Sequence, residues 1–222
     1  MTGARRFDLV CFDVDGTLIV HPENKVVWQV LNRRFLGSHE VNDRRFRDYR
    51  DGRIAYADWV ALDVGDWQAA GATRSDIIAG LGELSLMKGA REAVSRLKDA
   101  GCRLAVVSGT IDLCLDLLFP DHPFDEVHTN RIAFDGEGRI SGWTATPYDM
   151  EGKAVALREI CAREGIPRNR CAFVGDHEND IAAAREAGYS IAFNPKSPKL
   201  EAAASLTVRS GDLRDLLPHL TI

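Results

Sequence analysis

Phe7-Asp8-Leu9-Val10-Cys11-Phe12-Asp13-Val14-Asp15-Gly16-Thr17 decides how this chain is read. Its apolar centre, Leu9 to Phe12, has the length and composition of a strand buried on both faces. It runs without a break into two aspartates spaced i, i+2, then glycine and threonine. Carboxylates at the end of a buried strand cost free energy unless they hold a cation or do chemistry. Gly16 lets the chain turn sharply and brings its backbone close to a ligand. The plain alternative is a strand followed by an Asx-rich turn.

Working outward, the same arrangement recurs twice. A buried strand over 103–107 ends in Ser108-Gly109-Thr110, and another over 170–174 ends in Gly175-Asp176. Between and after them the pattern alternates. Helices are predicted over 90–100, 111–118, 152–164 and 180–187, two of them stopped by Gly101 and Gly188. Short strands are predicted over 125–128, 131–134, 139–144 and 190–193, with a hairpin turn at Asp135-Gly136-Glu137-Gly138. Strands alternating with helices argue for a parallel sheet covered on both faces. The fold class is therefore α/β: a Rossmann-like three-layer parallel sheet core. Ligands of such sheets sit beyond the carboxyl ends of the strands, where the strand order reverses.

One block interrupts the alternation. Val27, Val30, Leu31 and Phe35 fall at helical spacing before Gly37, and Tyr56, Trp59, Val60 and Val64 make a second amphipathic run. Thr73-Arg74-Ser75-Asp76 opens a further short helix with capping residues. The stretch 41–51 mixes Arg44, Arg45, Arg47 and Arg50 with Asp43, Asp48 and Asp51 and reads as a solvated helix face. Tyr56, Trp59 and Trp67 read as core of this block, with an interface patch as the alternative. No strand pattern falls within it. Residues 20–86 are expected to form a helical cap, and 1–19 with 87–222 the sheet core.

The 222 residues suffice for such a core with an insert. Lys and Arg number 28 against 33 Asp and Glu, a net charge of −5, which disfavours nucleic acid and anionic membrane as partners. No apolar run approaches a membrane span and Met1 to Arg6 has no signal-peptide character, so a cytoplasmic location is expected. The five cysteines include no Cys-x-x-Cys and read as small buried hydrophobes. Cys11, two residues before Asp13, is given no catalytic role.

Two further features carry chemistry. Lys153 sits in the first turn of a predicted helix, against the helix dipole, which suggests an anion it must meet; alone, it reads as a surface lysine. Gly175-Asp176-His177-Glu178-Asn179-Asp180 places acids four residues apart at the end of a buried strand, which suits an oxygen-coordinated Mg²⁺. An acid-rich helix start accounts for Glu178 and Asp180 but not for Gly175-Asp176. Ser108-Gly109 offers a hydroxyl and backbone N–H groups to an anion, or simply a helix cap.

In order, Asp13-x-Asp15-Gly16-Thr17, Ser108-Gly109, Lys153 and Gly175-Asp176-x-x-x-Asp180 resemble the four motifs of the haloacid dehalogenase superfamily, over essentially the whole chain. Val106-Val107-Ser108-Gly109, Asn130-Arg131, the 175–180 run and Ile191-Ala192-Phe193-Asn194 look most like the phosphoserine phosphatase branch. The resemblance implies Asp13 as nucleophile toward a phosphoryl group, forming an aspartyl-phosphate. Asp15 would be the general acid and base. Ser108, Gly109, Lys153 and Asn179 would bind phosphate. Mg²⁺ would be held by Asp13, Asp15 through its backbone carbonyl, and Asp176, with Asp180 ligating or supporting. His177 is expected at the rim, since Mg²⁺ favours oxygen. The implied activity is a Mg²⁺-dependent phosphatase acting on a small phosphorylated metabolite, as a monomer or homodimer, with the cap closing over the site. Phosphoserine phosphatase proper, phosphotransfer to an alcohol and a non-catalytic binding protein are the alternatives.

The chain also departs from that branch. Its cap glutamate, which meets the substrate amine, falls on Pro22, with Glu23 adjacent. Its cap arginine, which meets the substrate carboxylate, falls on Asp63, which cannot pair a carboxylate. Thr110 replaces a second glycine. Arg50 or Arg53 would have to supply the missing cation.

Overall fold

In the computed structural model, which describes residues 4–222, β1 (Leu9–Phe12) is the middle strand of the main sheet. Its side chains alternate between two apolar layers: Val10 and Phe12 pack on one face, Leu9 and Cys11 on the other. This explains why the run is apolar at every position.

The chain continues through β2 (Ile19–Val20), then α1 (Val27–Leu36), α2 (Glu40–Arg50), α3 (Tyr56–Ala69) and α4 (Arg74–Gly80). It returns through β3 (Ser85–Leu86), α5 (Ala90–Asp99), β4 (Arg103–Ile111), α6 (Asp112–Leu118), β5 (Glu126–Phe134) and β6 (Ile140–Thr144). It ends through α7 (Gly152–Glu164), β7 (Cys171–Gly175), α8 (Ile181–Glu186), β8 (Tyr189–Phe193), α9 (Pro198–Ala203), β9 (Leu206–Val208) and α10 (Leu217–Leu220). The sheet order is β6-β5-β4-β1-β7-β8-β9, parallel except for the antiparallel edge strand β6. β1 lies between β4 and β7, where the order of chain progression reverses. The three strand ends that carry polar residues are therefore neighbours at one switch point.

Three local readings need correction. The strand predicted over 103–107 runs on to Ile111, so α6 begins at Asp112. The register of β4 against β5 shifts between Val107 and Ile111, and side chains serve the interrupted carbonyls: Asn130 Nδ2 donates to Gly109 O at 2.7 Å and to Thr110 O at 3.2 Å. The two short strands at 125–134 are one, β5, pairing parallel with β4 in its first half and antiparallel with β6 in its second. Finally, β2 and β3 form a two-stranded antiparallel ribbon that brackets α1–α4.

The four helices carry a buried polar network. Trp67 is fully buried and stacks on Trp28 at 5.3 Å, and its Nε1 donates to Asn32 Oδ1 at 2.6 Å. Asn32 Nδ2 donates to Asp63 Oδ1 at 2.9 Å, and Arg45 pairs with both Asp63 and Asp66. The charged stretch 41–51 is thus not a wholly solvated face, because Asn42 and Arg45 are buried. Arg45 is drawn inward by two aspartates three residues apart on one face of α3. Thr73 does cap α4, accepting from Asp76 N while Asp76 accepts from Thr73 N. Among the described residues, no helix is long and apolar enough to cross a membrane.

Candidate active site

The strand ends assemble around Lys153. Its Nζ is wholly buried and donates to Asp13 Oδ1 at 2.6 Å and to Asp180 Oδ1 at 2.7 Å. Two carboxylates within hydrogen-bond distance hold the ammonium well above the usual lysine range despite its burial. Asp180 Oδ2 accepts from the backbone N–H groups of Asp176 and His177, at 2.9 and 3.1 Å. Asp180 therefore ties α7 to the loop after β7, with both oxygens engaged.

Asp176 is buried beside Asp13. Its Oδ2 meets Lys196 Nζ at 2.9 Å, while its Oδ1 is buried with no hydrogen-bond partner. Oxygens of Asp13, Asp176 and Asp180 lie within 4.8 Å of one another. A buried, unpartnered carboxylate oxygen in a cluster of hard oxygen donors fits Mg²⁺. Burial raises the Asp176 carboxyl to about 8, with Lys196 opposing, and burial likewise raises Asp13 against the pull of Lys153. A divalent cation would supply the positive charge these carboxylates need to stay ionised. Gly16 fits the same cluster: its φ is +84°, and a Cβ there would collide with the Asp176 carboxylate.

Asp15 lies one turn of chain beyond Asp13. Burial, then the neighbouring Asp13 charge, pushes its carboxyl up to about 7, while Thr110 and the Val27 backbone N–H hold it down. The two aspartates of the first motif thus have different partners: Asp13 accepts from the Lys153 ammonium, and Asp15 is served by Thr110 and the Val27 backbone N–H.

Ser108 is buried on β4 and accepts from Thr110 N at 3.3 Å. A Cβ on Gly109 would strike the Asp149 carboxylate. Asn179 Nδ2 donates to Asp149 Oδ1 at 3.4 Å, and Lys153 Nζ is 3.9 Å from the same oxygen. Asp13, Asp15, Ser108, Gly109, Asp176 and Asn179 all line one cavity of about 380 Å³, with His177 and Lys196. Its opposite wall comes from the helices: Gln29, Asn42, Asp43, Phe46, Tyr56, Trp59 and Asp63.

The structure thus brings every motif residue to one place. Sequence reasoning missed Lys196 and Asp149. Lys196 follows β8 in Asn194-Pro195-Lys196-Ser197-Pro198, a turn-like stretch with no period to single it out. Asp149 sits four residues before Lys153, a spacing that was there to be noticed. Tyr56 and Trp59, expected in the interior of the helical block, line the cavity, whereas Trp67 is core. Neither Arg50 nor Arg53 reaches it: both are exposed, and Arg53 pairs with Asp48 and Asp51. Glu23 is also exposed, near Arg33. Cys11 is buried in the apolar layer that α7 and α8 pack against the sheet.

The profile of haloacid dehalogenase-like hydrolases matches residues 7–188. The phosphoserine phosphatase of Idiomarina loihiensis is 30% identical over 94% of this chain and 91% of its own length. Phosphoserine phosphatase SerB2 of Mycobacterium tuberculosis is 33% identical over 90% of this chain, which spans 47% of that relative. A substrate-bound phosphoserine phosphatase complex superimposes with a TM-score of 0.78 at 24% identity, covering 98% of this chain and all of the other. The four motifs, their meeting at one switch point and these likenesses agree: the chain belongs to the haloacid dehalogenase-like hydrolase family, on its phosphoserine phosphatase-like branch.

Proposed function

We propose that this protein hydrolyses a small phosphate monoester in two steps through an aspartyl-phosphate on Asp13, with Mg²⁺. One observation carries the reading: Asp13, Asp15, Ser108, Gly109 and Asp176, from the ends of three adjacent strands, open onto one cavity, with Lys153 bonded to Asp13 from below. Asp13, Asp176 and the backbone carbonyl of Asp15 would hold Mg²⁺, with Asp180 fixing the Asp176 loop from behind. When bound, the ion supplies positive charge to the phosphoryl oxygens.

In the first step an Asp13 oxygen bonds to phosphorus as the ester P–O bond breaks, and the Asp15 proton goes to the leaving alcohol oxygen. Asp15 then takes a proton from water, whose oxygen bonds to phosphorus as the Asp13–phosphorus bond breaks, releasing phosphate. Ser108, the Gly109 backbone, Lys153 and Asn179 orient and neutralise the phosphoryl oxygens throughout. Residues 20–86 act as a cap on the core formed by 1–19 and 87–222. That division is supported by the contiguous run α1–α4 between β2 and β3, which supplies the far wall of the cavity. The enzyme works as a monomer or homodimer on a small phosphorylated metabolite, without nucleic acid or membrane. A cytoplasmic setting is supported by five free cysteines, four of them buried.

The test is phosphate release from 4-nitrophenyl phosphate with Mg²⁺, together with acid-quench trapping of ³²P on the protein from a labelled monoester. Mg²⁺-dependent release and base-labile label on the wild type, absent in Asp13→Asn, are expected. Release that persists in Asp13→Asn would refute the assignment.

A further inference from the structure

The two ends of the cavity differ in charge. At the motif end stand Lys196 and, behind Asp13, Lys153. At the helical end, no lysine or arginine lines the wall among the described residues. Arg44, Arg45 and Arg47 adjoin the lining residues in sequence, but Arg44 and Arg47 are exposed, the Arg45 guanidinium is bound to Asp63 and Asp66, and none of the three is in the lining.

The helical end presents aromatic faces and acceptors instead. Phe46 and Tyr56 stand 5.8 and 6.1 Å from Trp59, centroid to centroid, and all three line the cavity. Asp43 lines it too, receiving Nε2–H of Gln29 at 2.9 Å. Asn42 is buried, with Oδ1 unpartnered. Asp63 is wholly buried; its Oδ2 has only a loose approach from the Trp59 indole N–H. A buried acceptor without a donor at Asn42, next to aromatic rings and the Asp43 carboxylate, calls for a ligand that donates hydrogen bonds or carries positive charge. A ligand carboxylate here would meet the Asp43 carboxylate, which only the Gln29 amide serves, while Arg45 is already taken by Asp63 and Asp66.

Resting on the phosphatase reading above, we infer that the substrate is the phosphate monoester of an amino alcohol, its cationic nitrogen seated among Phe46, Tyr56 and Trp59 beside Asp43 and Asp63, and that it bears no carboxylate. Phosphate binds at the motif end and ammonium at the helical end, so the cavity reads the dipole of its substrate. The identity of the phosphoryl-transfer groups is untouched; what changes is the leaving alcohol that Asp15 protonates.

The experiment compares kcat/KM for phosphocholine, phosphoethanolamine, glycerol 3-phosphate and phosphoserine, with 4-nitrophenyl phosphate as reference and Mg²⁺ throughout. At least one of the two cationic esters is expected to exceed both glycerol 3-phosphate and phosphoserine by about tenfold, the scale of one desolvated cation–π contact. Phosphoserine or glycerol 3-phosphate matching the better cationic ester overturns the inference, as does turnover of 4-nitrophenyl phosphate alone. No release from any ester, 4-nitrophenyl phosphate included, overturns the phosphatase reading itself. The selectivity ratio of the preferred cationic ester over glycerol 3-phosphate is then read in Trp59→Leu and, with little change of shape, in Asp43→Asn. It should fall about tenfold in the first and severalfold in the second. A ratio unchanged in both, with either protein folded by circular dichroism, also overturns the inference.

Discussion

The two walls of the cavity each pair acids with bases, but they leave different groups open: a carboxylate oxygen among carboxylates at the strand ends, an amide oxygen among aromatic rings at the helices. At the strand ends, lysines pair with aspartates, Lys153 with Asp13 and Asp180 and Lys196 with Asp176, and the oxygen left over, Asp176 Oδ1, belongs to the cluster that fits a cation. At the helical wall, Arg45 pairs with Asp63 and Asp66, and the buried Asn42 Oδ1 is left without a donor beside the Asp43 carboxylate. The difference teaches where chemistry and choice reside. A wall whose charges are mutually fixed can stabilise a changing phosphoryl group without reorganising. A wall with unmet acceptors waits for part of the ligand to complete it, and so discriminates.

The comparison breaks most sharply at Asp13. Asp13→Asn keeps the shape and removes the attacking charge, so kcat should fall at least about a thousandfold. The thermal midpoint should stay near wild type, because Asn can still accept from Lys153. Chelation is the companion test. EDTA should abolish turnover, and added Mg²⁺ should restore it and raise the midpoint. An ion at a hundred times its Kd adds about 2.7 kcal/mol of stability. A midpoint indifferent to Mg²⁺ would count against the Asp13–Asp176 site.

Lys153→Met removes the ammonium from between two buried carboxylates. Breaking a buried pair from one side costs about 3–5 kcal/mol, and denaturant unfolding should show it alongside lost activity. Arg45→Met is the matching change at the other wall. It strands Asp63 and should destabilise by about 3 kcal/mol, yet the remaining turnover should keep its dependence on Mg²⁺ and on Asp13. If Arg45→Met instead erased kcat while leaving stability intact, the division of labour between the walls would be wrong.

The same contrast explains what could be read from the sequence. Asp13, Asp15, Ser108, Gly109, Lys153, Asp176 and Asp180 were legible because each sits where a buried strand stops or a helix starts, a place periodicity locates and where a charged residue needs a reason. Lys196 was not, because it follows its strand in a proline-flanked turn without pattern. The helical wall was illegible for another reason. Arg45, Asp63 and Asp66 look like ordinary surface charge until α2 and α3 are packed together, and no spacing in one helix announces a partner in the next. The end of β4 was misplaced because Asn130, 21 positions after Gly109 and 20 after Thr110, supplies hydrogen bonds to their carbonyls that the strand would otherwise lack.

Asp149 gives the finest test, because it lines the motif end of the cavity among the phosphate groups yet carries a negative charge of its own. Its carboxylate touches Gly109, accepts from Asn179 and stands 3.9 Å from Lys153 Nζ. These are the groups assigned to the phosphate, so Asp149 occupies with a carboxylate the environment a phosphate needs. Two anions cannot share it; like charges about 4 Å apart repel by roughly 1–4 kcal/mol, depending on exposure. Phosphate must therefore bind against Asp149 or displace it. Asp149→Asn keeps the side chain's size and removes the competing charge, so the inhibition constant for inorganic phosphate should fall about fivefold, with a smaller change in kcat. If phosphate instead bound more weakly to Asp149→Asn, Asp149 would be holding Lys153 and Asn179 in place for the phosphate rather than standing in its way.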